Sequence, residues 1–119
     1  MSRTLAMRPE ADQMREFLIR MIAIDRLQQW ALEAVPLPVD FQVEGVSAEQ
    51  LALLKEPEGT IALQEWLQAY AQSIPLLREY RNGLVHRPGD YEEDELADVS
   101  RSAKRVLKAL SRRLTLPIQ

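Results

Sequence analysis

The chain is 119 residues long, 46% hydrophobic and 28% charged, with a net charge of -3 and a pI near 5.2. One folded domain fits that length, and the acidic balance excludes a general polyanion binder, so any nucleic-acid contact must be a local basic patch. The absence of cysteine excludes disulfides, zinc–thiolate sites and thiol catalysis, and a lone histidine argues against a histidine-based metal site.

Residues 1–8 read as a loose leader with Arg3 and Arg8 but no apolar signal-peptide core. Pro9 suits the first turn of a helix. From there Met14, Phe17, Leu18, Met21, Ile22, Leu27, Trp30, Ala31 and Ala34 recur at helical spacing, until Pro36 and Pro38 end the pattern. Arg15, Glu16, Arg20, Arg26 and Glu33 lie off that stripe, and Arg20 breaks an apolar run too short to span a bilayer. A cytoplasmic protein without membrane contact is expected.

Residues 36–46 are extended: Val39, Phe41 and Val43 alternate with Asp40, Gln42 and Glu44. Without a second strand to pair with, the expectation is a loop pinned by Phe41, the alternative an edge strand that pairs with a second subunit. Ser47 and Gln50 have capping-box spacing and open a short helix through Leu51, Leu53 and Leu54, closed by Pro57 and Gly59. Thr60 is placed to cap the next helix, whose stripe is Leu63, Trp66, Leu67, Tyr70, Ala71, Ile74 and Leu77. Pro75 inside that pattern predicts a kink or a restart, and Gly83 followed by Pro88-Gly89 predicts the helix end.

Asp90 and Glu93 are spaced to cap a final helix with Leu96, Val99, Ala103, Val106, Leu107, Leu110 and Leu114 on one face. Its first turn holds Glu92 to Glu95 and its second half Arg101, Lys104, Arg105, Lys108, Arg112 and Arg113, a polarity that complements the helix dipole. The acidic turn therefore needs no metal to explain it. The sum is an all-α antiparallel bundle of four to five helices over residues 1–119.

The chemistry-bearing residues concentrate in Arg81-Asn82-Gly83-Leu84-Val85-His86, which holds the only histidine and the only asparagine. A guanidinium holds phosphate oxygens, and an imidazole takes a proton from a ribose hydroxyl near neutral pH. Arg81 sits where the stripe of its helix predicts leucine. Two readings follow. Either an internal carboxylate such as Asp25 or Glu33 satisfies it, or it snorkels to water; or it faces a cleft or a subunit interface where it meets a phosphate. Residues five apart on an unbroken helix diverge by roughly 140°. Arg81 and His86 thus converge only if the helix distorts near Gly83, or if two subunits bring their motifs together across a two-fold axis. Lys104, Arg105 and Lys108 form a weaker candidate RNA-backbone patch, and Tyr80, Tyr91 and Trp66 are candidate stacking residues, although Trp66 is in phase with the core.

This motif, within the run "LLREYRNGLVH", resembles the R-x4-6-H motif of the HEPN superfamily, including the polar residue beside the arginine. The helix order resembles that family over most of the chain, the specific similarity over about ten residues. The resemblance implies a HEPN-like bundle and a metal-independent, cofactor-free endoribonuclease acting as a homodimer. His86 would be the general base on the ribose 2'-hydroxyl, Arg81 would stabilise charge on the phosphoryl oxygens, and Asn82 would orient them. The products would be a 2',3'-cyclic phosphate and a 5'-hydroxyl. It further implies a toxin or antiphage effector restrained by an inhibitory antitoxin or a nucleotidyltransferase-type partner. Toxins of the nucleotidyltransferase pairs often carry a tyrosine two residues beyond the histidine; here that position is Pro88, and Tyr91 is the nearest tyrosine downstream. The competing readings are a non-catalytic HEPN-like scaffold, nucleotide-binding subunit or dimerisation module with a structural Arg81, and a DNA-binding protein using the last helix, which the acidic pI disfavours.

Overall fold

A computed structural model describes residues 11–115. The leader expected over residues 1–8 and the helix start expected at Pro9 lie outside those residues. Among them the protein is all-α, a bundle of five helices: α1 (Ala11–Glu33), α2 (Ala48–Ala52), α3 (Pro57–Ala69), α4 (Ser73–His86) and α5 (Glu93–Arg113). Short 3-10 turns at Leu53–Lys55 and Pro88–Asp90 lead into α3 and α5.

α3 and α4 are two pieces of one bent rod. The expected single helix breaks at Tyr70–Gln72, and Pro75 falls in the first turn of α4, where a missing N–H removes no intrahelical bond. The restart is therefore where proline chemistry tolerates it. Contacts fix the direction of this rod. Val106 and Glu95 of α5 meet Trp66 and Tyr80 in reverse order, so α5 runs antiparallel to the rod. Phe17 meets Tyr80, while Gln28 and Leu32 lie beside Gln68, Ala71 and Ile74, so α1 does too. α1 and α5, both opposed to the rod, pack against each other most extensively, with Arg20 against Ser100.

The core lies among these three rods. Phe17, Met21, Ile24 and Leu27 of α1, Leu63 and Trp66 of α3, Ile74, Leu77 and Leu84 of α4, and Leu96, Val106, Leu107 and Leu110 of α5 are buried. The indole N–H of Trp66 donates to the Val106 carbonyl at 2.7 Å, so its one polar group is satisfied inside an apolar site.

Several local expectations change in three dimensions. α1 is rotated about its axis relative to the stripe read from sequence: Ile22 is 52% exposed, whereas Arg20 is only 6% exposed. The reason is a partner distant in sequence. The 34–47 segment returns along α1, and Glu44 accepts from Arg20 Nε and Nη2 at 2.8 and 3.1 Å. Ser100 accepts from Nη1 through its hydroxyl at 2.6 Å and its carbonyl at 3.2 Å, and Glu16 lies 3.1 Å from the same nitrogen. The side chain that breaks the apolar pattern is thus a fully engaged interior cation. These guanidinium bonds hold the Glu44 carboxyl below its ordinary range, against a smaller opposing effect of burial.

Residues 36–46 within the 34–47 segment form a loop, as expected, and no strand occurs among the described residues. Its only ladder contact is a bridge between Val43 and Val46 across a turn at Gly45, whose φ of 81° suits glycine. Buried Val43 and Val46 pin it together with Phe41, which packs against the core. The Ser47–Gln50 capping box forms, with Ser47 Oγ accepting from the Gln50 N–H at 3.1 Å and Gln50 Oε1 accepting from the Ser47 N–H at 3.0 Å.

Pro57 opens α3 instead of closing the helix before it, and Thr60 lies inside α3, its hydroxyl donating to the Glu56 carbonyl at 3.1 Å. Gly59 is an approach position: a Cβ there would stand 1.7 Å from the Leu53 carbonyl oxygen. At the start of α5, Asp90 belongs to the 3-10 turn and Glu92 takes the N-cap position without a side-chain bond, so the expected Asp90–Glu93 box does not form.

Candidate functional site

The motif lies on the last turns of α4. Gly83 does not end the helix; α4 continues to His86 and closes with the Arg87 N–H donating to the Gly83 carbonyl at 2.8 Å. What Gly83 provides is space. A Cβ there would lie 1.9 Å from the Tyr91 hydroxyl oxygen, so glycine lets Tyr91 lie across the helix. Tyr91 meets Tyr80 edge-on at 4.9 Å between ring centroids, and Tyr80 meets Phe17 edge-on at 5.7 Å. The loop after the motif is thereby fastened to α1 through an aromatic chain.

Because α4 is unbroken, Arg81 and His86 point to different sides of it, at roughly 140° to each other. Within one chain the two groups are not gathered by a helix distortion. Arg81 points toward α1, where its Nη1 donates to Asp25 Oδ2 at 3.1 Å and its Nε donates to Asn82 Oδ1 at 2.8 Å. Of the two carboxylates that the sequence offered, Asp25 is the one engaged. The other oxygen of that carboxylate, Oδ1, accepts from Arg78 Nε at 3.3 Å and Nη2 at 3.0 Å. Gln28 Oε1 also accepts from Arg78 Nη2. Two guanidiniums therefore share one carboxylate, and the trio carries one net positive charge in a place that is partly open: the Arg78, Arg81 and Asp25 side chains are 31%, 22% and 28% exposed.

Arg78 was not singled out from the sequence. The signal available was its spacing, three residues before Arg81 and so on the same helix face. His86 is exposed at the helix C-terminus beside exposed Val85.

The remaining candidates serve mostly internal contacts. Tyr80 is half-buried, its ring in edge-on contact with both Phe17 and Tyr91, and its hydroxyl donates to Glu95 Oε1 at 3.4 Å. Burial first, and then the Glu95 carboxylate, push its phenol above the ordinary tyrosine range. Trp66 is buried and offers no ring to a base. Lys104 Nζ lies 3.7 Å from Glu44 Oε1, on the Arg20 side of the molecule. Arg105 donates to Ser102 Oγ at 3.2 Å on the rim of an open apolar groove between α4 and α5, of about 510 Å³, with Tyr70, Leu76 and Val99 in its lining. Lys108 is exposed. The basic stretch is thus split by the helix wheel between a paired and a solvent-facing part.

Among the described residues no cluster of three or more histidine or carboxylate groups could hold a metal ion, and no helix is long and apolar enough to cross a membrane. No family model, curated protein or solved structure matches this chain.

Proposed function

We propose that the protein is a HEPN-like endoribonuclease that acts as a homodimer, with Arg81, Asn82 and His86 as the reacting set. The observation that carries this reading is the motif helix itself: an exposed His86 at its end whose side chain has no hydrogen-bond partner among the described residues, and five and eight residues earlier a partly open arginine pair with an excess positive charge. His86 takes the proton of the ribose 2'-hydroxyl, and the oxygen attacks the adjacent phosphorus. The P–O5' bond breaks and the departing 5'-oxygen takes a proton from solvent, leaving a 2',3'-cyclic phosphate and a 5'-hydroxyl, and the arginine neutralises charge on the non-bridging oxygens. Because Arg81 and His86 diverge on one helix, a complete site requires the Arg81 of one protomer and the His86 of its partner, or two motifs facing each other across a two-fold axis. A role as a toxin or antiphage effector, with an inhibitory antitoxin or nucleotidyltransferase-type partner, belongs to the same proposal. Incubation with a labelled RNA, followed by end-group analysis, tests it. Cyclic phosphate ends from the wild-type protein and none from folded His86→Ala are expected; equal cleavage by both would remove it.

A second reading is favoured by one contact, the bond from Arg81 to Asp25 of its own chain at 3.1 Å. On this reading the arginine is structural and the domain is a non-catalytic helical scaffold or dimerisation module. It requires Arg81→Ala to unfold or dissociate the protein, which the ribonuclease reading does not.

A further inference from the structure

We propose that Arg78 is a second phosphate-binding residue beside Arg81, that Asp25 is the resident anion of this pair, and that its ligand is the phosphodiester backbone of single-stranded RNA. The identity of the polyanion rests on the ribonuclease reading; the pair itself rests on geometry.

Three observations carry the assignment. First, Arg78 and Arg81 are three residues apart on α4, so both guanidiniums project from one face toward α1. Second, the Asp25 carboxylate gives one oxygen to each guanidinium, Oδ1 to Arg78 at 3.0 Å and Oδ2 to Arg81 at 3.1 Å. A phosphodiester presents the same arrangement, two anionic oxygens on one centre, and arginine forks suit both groups. Asp25 thus fills the place that a phosphate group would take. Third, one carboxylate does not neutralise two guanidiniums. Arg81 Nη2 carries no hydrogen bond among the described residues, and all three side chains are between 22% and 31% exposed, so an incoming anion reaches the pair without unfolding. Arg81 is already oriented, because Asn82 Oδ1 accepts from its Nε at 2.8 Å.

In this arrangement the phosphate competes with Asp25 or joins it. An RNA-free protein keeps its arginines paired and its charge low; an RNA-bound one uses both cations on the backbone. Asp25 sets the threshold for that exchange, and Gln28, which accepts from Arg78, helps hold the arginine fork in place when the carboxylate is displaced.

The experiment uses the full chain and a 2'-O-methyl oligoribonucleotide, which lacks the nucleophile and cannot be cleaved. Affinity is measured over a series of salt concentrations. Arg78→Gln is expected to weaken binding about tenfold, and Asp25→Asn to tighten it by a similar factor, the scale of one unit charge at a partly solvated site. The slope of log affinity against log salt changes by about 0.7 per phosphate contact on a single strand, shallower for Arg78→Gln and steeper for Asp25→Asn. A merely structural pair would lower thermal stability and leave that slope alone. Unchanged affinity and slope in folded Arg78→Gln overturn the proposal. If Asp25→Asn does not fold, the side-chain Nε–H resonances of Arg78 and Arg81 in the wild-type protein decide. Both are expected to shift on adding the oligonucleotide, and no shift, or the same shift with inorganic phosphate at equal phosphate concentration, overturns the RNA assignment. A protein that binds this oligonucleotide through the pair but never cleaves RNA would remove the ribonuclease reading and leave the phosphate pair standing.

Discussion

Replacing Arg81 by alanine separates the two functional readings, because the structure sets how much stability that arginine supplies. Arg81 and Asp25 are 22% and 28% exposed, so their attraction is partly screened by solvent, and pairs of this kind contribute up to about 1 kcal/mol. Truncation also removes the packing of the arginine stem, a further loss of roughly 1 kcal/mol at most for a side chain that is 22% exposed. It does not leave Asp25 stranded, since Arg78 still donates to it at 3.0 and 3.3 Å. The expected loss is therefore about 1–2 kcal/mol, against a total stability on the order of 5–15 kcal/mol for a domain of this kind. At roughly 4 °C per kcal/mol, Tm falls by about 4–8 °C and the variant stays folded. Circular dichroism melts, light scattering for assembly mass and an RNA cleavage assay are run on the same preparation. A folded variant of wild-type mass without cleavage is the expected result. Unfolding at room temperature, or loss of assembly with a much larger fall in Tm, would refute this accounting and assign Arg81 to the scaffold.

Gly59→Ala offers a test in which local and tertiary reasoning differ in sign. Helix propensity alone predicts stabilisation by about 1 kcal/mol, whereas a Cβ 1.7 Å from the Leu53 carbonyl oxygen must push backbone apart. A net loss of about 2 kcal/mol is expected in denaturant melts, and a gain would show that α3 can move away from the preceding turn at little cost. Trp66→Phe removes a hydrogen bond to Val106 and part of a fully buried ring, so a loss of about 2 kcal/mol is expected from urea unfolding. Arg20→Ala should cost more than Arg81→Ala, about 3 kcal/mol, because Ser100 loses its buried partner and Glu44 its bidentate one. The folded-state pKa of Glu44 is lowered, so its stabilisation is present above the unfolded value near 4.5 and is lost as pH falls through the lower folded value. In acid titrations monitored by thermal melts, Glu44→Gln should be less stable than wild type at neutral pH, with the difference shrinking below pH 4.5; a constant difference would argue against the clasp.

The sequence by itself determined the all-α class and the identity of the buried face of α5. It also determined the Ser47–Gln50 box, the restart near Pro75 and the burial of Trp66. Each depends on residues within a turn or two of one another, where periodicity and backbone sterics act. It also located the Arg81–His86 motif and offered Asp25 as one of two internal partners for Arg81. Tertiary structure alone decided the rest. Arg20 reads as a surface residue until Glu44 and Ser100 are brought to it from distant parts of the chain. Gly83 and Gly59 read as helix punctuation until Tyr91 and Leu53 are seen lying against them. The choice of Asp25 over Glu33, and the recruitment of Arg78 to the same carboxylate, depend on how α1 and α4 are rotated about their axes. A hydrophobic period defines a face only to within a residue or so. The partner of a buried charge is set by packing among rods, which no local pattern encodes.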